Sequence, residues 1–320
     1  MKTFLSCDWG MTSFRLRLVE IPGLQFTSVQ DNDRGIAKTY ESWKQMEAKD
    51  EERLSFYLRV LDHYIRQLEQ QLNNSLQNVP VIISGMASSS IGMIELPYKE
   101  VPFRADGSDL VVKKIPRSTD FNHEMFIISG AKKDNDAMRG EETQLAGCEH
   151  ELNDKDIFIF PGTHSKHVSV NNGSIIDIKT YMTGEFFELL STKSILAASM
   201  EKGEGLGDKK NKSGFEAGVH AAGQSNLLHT SFTARTNYLF DKYSKSENYY
   251  YLSGLLIGTE VMELKKDFGG KITLVANDSL REYYATALTM LNIQEELLFH
   301  IQDADSALVK GQYKICGEKI

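Results

Sequence analysis

The order strand, strand, strand, helix, strand, met twice along 320 residues, predicts an α/β protein of two similarly wound domains. Three observations predict it. Residues 3–8, 13–20 and Gln25–Val29 run apolar or alternate, with turn signals at Gly10 and Pro22-Gly23, so they read as successive strands. From Glu51 to Asn73, the residues Leu54, Tyr57, Leu58, Leu61, Ile65, Leu68 and Leu72 recur at spacings of three and four, which is one apolar helix face, and Val79–Ser84 follows as a short buried strand. The theme then restarts: strands are expected at 156–160, 166–170 and 174–179, helices at 183–199, 213–240 and 247–266, a strand at 272–276 and a helix at 279–291.

That order is the start of a ribonuclease-H-like unit, so two such domains are expected, over 1–130 and 131–320. Both begin with a related pair of strands. Phe4-Leu5-Ser6-Cys7-Asp8-Trp9-Gly10-Met11-Thr12-Ser13 and Ile157-Phe158-Ile159-Phe160-Pro161-Gly162-Thr163-His164-Ser165-Lys166 are apolar runs that end in a Gly and Thr turn and re-enter a strand pattern. Gly at such a turn lets backbone N–H groups approach a phosphate, Thr adds a hydroxyl, and Asp8 at a strand end is placed to hold Mg²⁺ through water. Two such hairpins facing one another would grip one nucleotide triphosphate.

Composition excludes several classes. With 41% hydrophobic and 25% charged residues the chain is globular rather than disordered. Cys7, Cys148 and Cys316 are odd in number and lack C-x-x-C spacing, which argues against a disulfide framework or a zinc site and for a reducing compartment. No signal region precedes the first strand and no apolar run approaches the roughly 18 residues that span a bilayer, so a cytoplasmic protein without a membrane partner is expected. A net charge of −8 argues against nucleic acid as a partner. It leaves ATP open, because a few cations and backbone N–H groups can converge locally on a small anion.

Between the hairpins lies Asn135-Asp136-Ala137-Met138-Arg139-Gly140-Glu141-Glu142-Thr143-Gln144-Leu145-Ala146-Gly147, with a helix expected to open near Glu141. Carboxylates in a first helical turn serve as electrostatic caps, but phosphoryl transfer to an alcohol also needs a carboxylate to accept the hydroxyl proton and a cation near the developing charge. The Gly- and Lys-rich stretch 202–214 lacks the G-x-x-x-x-G-K-[ST] spacing and reads as an exposed helix connection or a loop touching the nucleotide. His164 and His167, three apart on a strand, point to opposite faces and do not share a metal; Cys7 in an apolar strand reads as a core residue, and Tyr249-Tyr250-Tyr251 as packing.

Taken together, Asp8-Trp9-Gly10-Met11-Thr12, Ser84-Gly85-Met86-Ala87-Ser88-Ser89-Ser90-Ile91-Gly92, Met138-Arg139-Gly140-Glu141-Glu142-Thr143-Gln144, Pro161-Gly162-Thr163-His164-Ser165-Lys166, Met182-Thr183-Gly184-Glu185 and Ser253-Gly254-Leu255-Leu256-Ile257-Gly258 resemble the 2-keto-3-deoxygalactonokinase family of the actin-like ATPase superfamily. The resemblance covers nearly the whole chain. It implies two ribonuclease-H-like domains with the active site in the cleft between them, ATP and Mg²⁺ as cofactors, and phosphorylation of the terminal 6-hydroxyl of 2-keto-3-deoxy-D-galactonate in galactonate degradation. It implies that Asp8 (with the metal), Gly10 and Thr12 form the first phosphate loop and that Gly162, Thr163, His164 and Lys166 form the second. Gly254 and the turn Ala276, Asn277 and Ser279 would bind the nucleotide. Glu141 would be the catalytic base, with Glu142 and Arg139 beside it, and Ser88, Ser89, Ser90, Glu95 and Tyr98, again with Arg139, would line the sugar-acid pocket.

Met11 stands where this family commonly has Thr or Ser, and Ser13 where Asn is common, so backbone N–H groups carry more of the expected phosphate contact. Alternatives remain at this stage: a kinase of the same family for another keto-deoxy sugar acid, and, from another class, a nucleotide or sugar-acid sensor without turnover or a chaperone-like ATPase, the last disfavoured by the lack of an extended peptide-binding β domain. Retention of Asp8, Glu141, Glu142 and both hairpins speaks against the sensor. A homodimer is left open.

Overall fold

The computed structural model describes residues 2–46, 52–149, 155–266, 270–291 and 299–320. The chain separates into two compact units: Met1–Asn153 with Val170–Ile178 and Ala304–Ile320, and Asp154–Ser169 with Lys179–Asp303.

The first unit is built on β1 (Lys2–Trp9), β2 (Phe14–Ile21) and β3 (Gln25–Asn32), followed by α1 (Ile36–Lys44), α2 (Arg53–Leu72) and β4 (Val81–Gly85). Next come the short strands β5 (Lys99–Glu100), β6 (Phe103–Arg104), β7 (Val112–Ile115), β8 (Met125–Ile128), β9 (Ala131–Lys133) and β10 (Asp136–Met138), and then α3 (Glu141–Gly147). The main sheet has the order β3-β2-β1-β4-β8-β7. β1 pairs antiparallel with β2 and parallel with β4, so the hairpin and the crossover through α2 lie on opposite sides of β1.

Alternation along β1 gives its two faces different tasks. Leu5, Cys7 and Trp9 enter a core with Phe14, Leu16 and the face of α2 formed by Tyr57, Leu61, Tyr64, Ile65 and Leu68. Each such apolar side chain contributes roughly 1.5–3 kcal/mol when fully buried. Trp9 packs edge-on against Phe14 at 4.9 Å and donates from its indole nitrogen to the Arg34 carbonyl. The other face carries Ser6 and Asp8, opposite Arg17 and Arg15 of β2.

The frame repeats with β11 (Lys155–Phe160), β12 (Ser165–Asn171), β13 (Ser174–Tyr181), α4 (Thr183–Thr192), α5 (Lys209–Ala221), α6 (Leu227–Leu239), α7 (Lys245–Val261), β14 (Lys271–Val275), α8 (Asp278–Met290) and β15 (Phe299–Gln302), all in the second unit except the Val170–Ile178 part of β12 and β13. The strand order β13-β12-β11-β14-β15 reproduces β3-β2-β1-β4-β8 of the first unit. β14 is parallel to both β11 and β15. The chain then ends in α9 (Ala304–Cys316), which belongs to the first unit.

Local chemistry explains where these elements differ from the pattern expected over 183–240. The helix expected over 213–240 is two helices, because Gly223 takes a left-handed φ of 74° and Asn226 caps α6 through the Leu228 N–H. α4 stops at Thr192, where Ser194 bonds back to the Leu190 carbonyl and accepts from the Leu196 N–H. The second half of 202–214 is already α5, opened by Asp208, whose carboxylate accepts from Lys210 and Asn211 N–H.

A separation at 130/131 was expected, but α3 stays with the first unit because it crosses α9 at very short range. A Cβ on Gly147 would lie 1.9 Å from the Ala307 carbonyl oxygen, and one on Gly311 would lie 1.8 Å from that of Thr143. The second unit uses the same device between α5 and α7: a Cβ on Gly218 would lie 2.0 Å from the Tyr251 oxygen, and one on Gly254 would lie 2.0 Å from that of Phe215.

Candidate active site

Asp8 ends β1, and its geometry follows from the register. It sits directly across from Arg15 and diagonally from Arg17 on one hairpin face, with Ser84 of β4 on its other side. Among the described residues no hydrogen bond reaches its carboxylate. Burial raises the Asp8 carboxyl above its ordinary value, Arg17 and Arg15 draw it back down, and Asp305 and Glu141 push it up again. Arg17 is only 1% exposed and donates to Asp305 at 2.6 Å from the start of α9, while Arg15 bridges Asp31 at 3.1 Å and Asp305 at 3.5 Å.

The chain around Asp8 is kept bare by two glycines. Gly85 (φ 87°) leaves β4 where a Cβ would come 2.8 Å from the Trp9 oxygen and 3.3 Å from Asp8 Oδ1. Gly140 (φ 119°) opens α3 with its would-be Cβ 3.5 Å from Gly85 Cα. The end of β4 and the start of α3 therefore meet backbone to backbone beside the carboxylate, which brings Asp8 and Glu141 into one constellation.

Glu141 and Glu142 then diverge. Glu141 is half-buried and accepts from the Arg139 N–H at 3.0 Å. Glu142 is 1% exposed and turns inward: both of its oxygens accept from the Gly140 N–H, at 2.8 and 2.9 Å, and Thr143 Oγ1 donates to it at 3.3 Å. Burial and the neighbouring Glu141 push its carboxyl up to about 7.

Arg139 follows β10 and is clamped on one side. Its Nη1 donates to the carbonyl and hydroxyl of Ser88 at 2.7 and 2.6 Å, and its guanidinium lies 4.1 Å from the centre of the Tyr98 ring. Gly130 leaves the room, since a Cβ there would stand 3.1 Å from both Arg139 Cγ and Tyr98 Cε1. The Arg139 Nε is buried without a partner among the described residues. Of the expected sugar-acid residues, Ser88 and Tyr98 join Arg139 directly. Ser89 is buried and bonds to the Met86 carbonyl, while Ser90 and Glu95 are exposed.

The first turn is held from behind. Gly10 N–H donates to the Ser13 carbonyl at 2.9 Å, and the N–H groups of Ile36 and Ala37 at the start of α1 donate to the carbonyls of Gly10 and Met11. Met11 and Thr12 are exposed on its outer side.

In the second unit the turn 161–164 is braced by α4. Gly184 lies so close that a Cβ would be 2.6 Å from the Gly162 oxygen, the Glu185 N–H donates to the Thr163 carbonyl at 3.0 Å, and the Glu185 carboxylate lies 2.5 Å from His164 Nε2. Gly162, Thr183 and Gly184 form one end of a cavity of about 260 Å³ that continues past Phe187, Tyr249 and Tyr283, with Lys202, Ser253 and Ser279 at its wall. Aromatic walls, a cation and a glycine turn are a lining that suits a flat ligand carrying negative charge.

Gly254, Ala276, Asn277 and Lys166, expected at the nucleotide, are not among the residues that line this cavity. Gly254 is spent on the α5–α7 crossing, and its neighbour Ser253 lines the cavity instead. Ala276 is buried with its N–H on the Gln302 carbonyl, and Asn277 accepts from Ser279 Oγ at 2.7 Å. Lys166 is buried and donates to the His164 carbonyl at 3.0 Å. His164 and His167 do point apart, the first exposed and the second buried against Glu260. Sequence reasoning missed Phe187, Ser253 and Tyr283, which lie in segments with ordinary helix periodicity, and Arg17, whose charged strand position carried no sign of burial. Lys202, at the start of the 202–214 stretch, stands at the wall of this cavity.

Mg²⁺ was expected at Asp8. Among the described residues no group of three His, Cys, Asp or Glu side chains could hold a metal. Mg²⁺ favours one or two carboxylates with phosphate oxygens and water completing the shell, a mode that a single carboxylate such as Asp8 would suit.

Comparisons with known proteins place the chain in a family. A family model described as 2-keto-3-deoxy-galactonokinase matches residues 8–315. A 2-dehydro-3-deoxygalactonokinase of Escherichia coli (strain K12) is 32% identical over 219 residues, 66% of this chain and 70% of that protein. A Rhizobium meliloti (strain 1021) protein named a probable 2-dehydro-3-deoxygalactonokinase is 26% identical over 317 residues, 96% of this chain and 94% of its own. The solved structure of a Sinorhizobium meliloti protein provisionally designated a 2-dehydro-3-deoxygalactonokinase shares the fold, with a TM-score of 0.78 at 24% identity over 98% of this chain and 96% of that one. Because the family match begins at Asp8 and runs into α9, taking in both glycine turns and the Glu141 helix start, the chain belongs to the 2-keto-3-deoxy-galactonokinase family.

Proposed function

We propose that this kinase transfers the γ-phosphoryl group of ATP to the terminal 6-hydroxyl of 2-keto-3-deoxy-D-galactonate, in the cytoplasm. The observation that carries the reading is the constellation of the first unit: a bare Asp8 carboxylate backed by two arginines, Glu141 across the Gly85–Gly140 contact, and an Arg139 fork held by Ser88 and Tyr98.

Each residue has a distinct task in this reading. Glu141 accepts the proton of the attacking hydroxyl. Arg139, with one nitrogen committed to Ser88, offers its remaining edge to the substrate carboxylate, which lies at the far end of the sugar acid from the reacting hydroxyl. Glu142 holds the Gly140 N–H and fixes the start of α3, so that Glu141 keeps its place. The backbone of the Gly10 and Gly162 turns receives phosphate oxygens, and the aromatic cavity of the second unit takes the adenosine. Asp8 would hold Mg²⁺, which when bound with the phosphates neutralises charge on their oxygens. Cys7, Cys148 and Cys316 are buried free thiols, which suits a reducing compartment.

Coupled ADP release measured against a panel of keto-deoxy sugar acids, with neutral sugars as controls, tests the assignment. The expected result is turnover with acids only and the highest kcat/KM for 2-keto-3-deoxy-D-galactonate. Preference for another acid of the panel would reassign the substrate, and no ADP release with any acid would overturn the kinase reading.

A further inference from the structure

The second unit contains a buried carboxylate that the reaction itself does not use. Glu260 of α7 is 3% exposed, and no Lys or Arg pairs with it among the described residues. A buried charge of this kind costs several kcal/mol unless its lone pairs are satisfied. Here four donors satisfy it, and they divide between its two oxygens. Oε1 accepts from Ser165 Oγ at 2.6 Å and His167 Nε2 at 2.9 Å, both on β12. Oε2 accepts from Thr183 Oγ1 at the start of α4 and from Tyr284 OH of α8 at 2.8 Å.

Two of these donors, Thr183 and Tyr284, line the cavity, and the other two lie on the strand that leaves the turn 161–164. Ser165 directly follows the turn 161–164. Thr183 precedes Gly184, whose backbone lies against Gly162, and both Thr183 and Tyr284 line the cavity with Gly162. The strand after the phosphate turn, the helix that braces the turn and the helix along the far wall therefore share one anion on a fourth element.

We propose that Glu260 is a positioning residue for the nucleotide, fixing the 161–164 turn, the start of α4 and the wall of α8 to one another, so that its charge sets nucleotide affinity rather than sugar-acid recognition. The inference rests on the reading of the second-unit cavity as the ATP site. A glutamine at 260 keeps the shape but removes the charge and places an NH₂ donor against one of the two donor pairs, so that pair must turn from donating to accepting and the four groups no longer share one anion.

The test is direct titration of the full chain with ADP, paired with KM for the sugar acid and a thermal melt. Glu260→Gln is expected to weaken ADP binding at least about tenfold, in line with losing one hydrogen bond to a charged group, while the sugar-acid KM stays within about twofold. Ser165→Ala and Tyr284→Phe, at opposite oxygens, are expected to weaken ADP binding by less, also without moving the sugar-acid KM. If Glu260→Gln does not fold, these two carry the test. Wild-type ADP affinity in a folded Glu260→Gln chain, or in both of the milder variants, would overturn the proposal, as would a rise in the sugar-acid KM equal to the loss of ADP affinity. Failure of the wild-type chain to bind ADP would instead overturn the ATP reading, and this inference with it.

Discussion

Glu142 bonds the N–H of Gly140 with both of its carboxylate oxygens, at 2.8 and 2.9 Å, so the residue beside the candidate base holds the backbone turn that presents it. This contact is made by a group pushed up to about 7 by burial and by Glu141. In the unfolded chain the same carboxyl ionises near 4.5, so between the two values the folded state binds the extra proton and stability falls as pH rises. A rise of that size corresponds to roughly 3 kcal/mol at most. Melts at pH 5 and pH 8 are therefore expected to show a larger loss of Tm for wild type than for Glu142→Gln, which cannot ionise. Parallel pH profiles would show that Glu142 does not carry the shift.

Glu141→Gln is expected to lower kcat by roughly 10²- to 10⁴-fold, the range for losing a general base, with little change in the KM for ATP. Glu142→Gln should cost less, because its side chain is turned into the α3 start and is 1% exposed. Steady-state kinetics on the two variants check this ranking. The reverse order would move the base to Glu142.

Asp8→Asn should remove at least about 100-fold of turnover while leaving Tm unchanged or higher. The stability half of this prediction follows from the environment: burial already disfavours the charge on Asp8, and no hydrogen bond from the described residues is lost when it becomes neutral. Near wild-type rates across a range of Mg²⁺ concentrations would remove Asp8 from the metal role.

What was legible in the sequence was local. The β1–β2 hairpin, the apolar face of α2 and the opening of α3 at Glu141 are written in periods of two and of 3.6 and in one glycine, and the structure has all three. What was hidden depends on partners far along the chain. Nothing near Thr143 announces that Gly311 will pack onto its carbonyl and keep α3 in the first unit. Arg17 looks like the solvent side of a strand until Asp305, from the other end of the chain, covers it. The donors on Glu260 come from three separate elements, and each alone resembles an ordinary Ser, Thr, His or Tyr. Motif resemblance implied Gly254 at the nucleotide; a glycine in a helix can serve a ligand or a helix crossing, and the nearness of the Phe215 carbonyl favours the crossing.

That decision is testable. Gly254→Ala would set a Cβ 2.0 Å from the Phe215 oxygen, a backbone atom that moves only with α5. Overpacking of this kind costs about 1–3 kcal/mol and occasionally more. The expected outcome is a lowered Tm with an unchanged KM for ATP in the protein that remains folded. A raised KM for ATP at unchanged Tm would return Gly254 to the nucleotide.

Arg139 offers the sharpest separation of roles. Its Nη1 is taken by Ser88 and one face by Tyr98, while Nε is buried without a partner among the described residues, which leaves the Nε–Nη2 edge for a two-oxygen anion. Lysine keeps the charge but has no fork, and it cannot reproduce both the Ser88 anchor and a second pair of bonds. Arg139→Lys is therefore expected to raise KM for the sugar acid by roughly 10- to 100-fold, equivalent to about 1.5–3 kcal/mol for a hydrogen bond to a charged group, with KM for ATP nearly unchanged. A fall in kcat with both KM values unchanged would assign the fork to the transferring phosphoryl group. Unchanged kinetics with a lowered Tm would leave Arg139 only its bonds to Ser88 and its stacking on Tyr98.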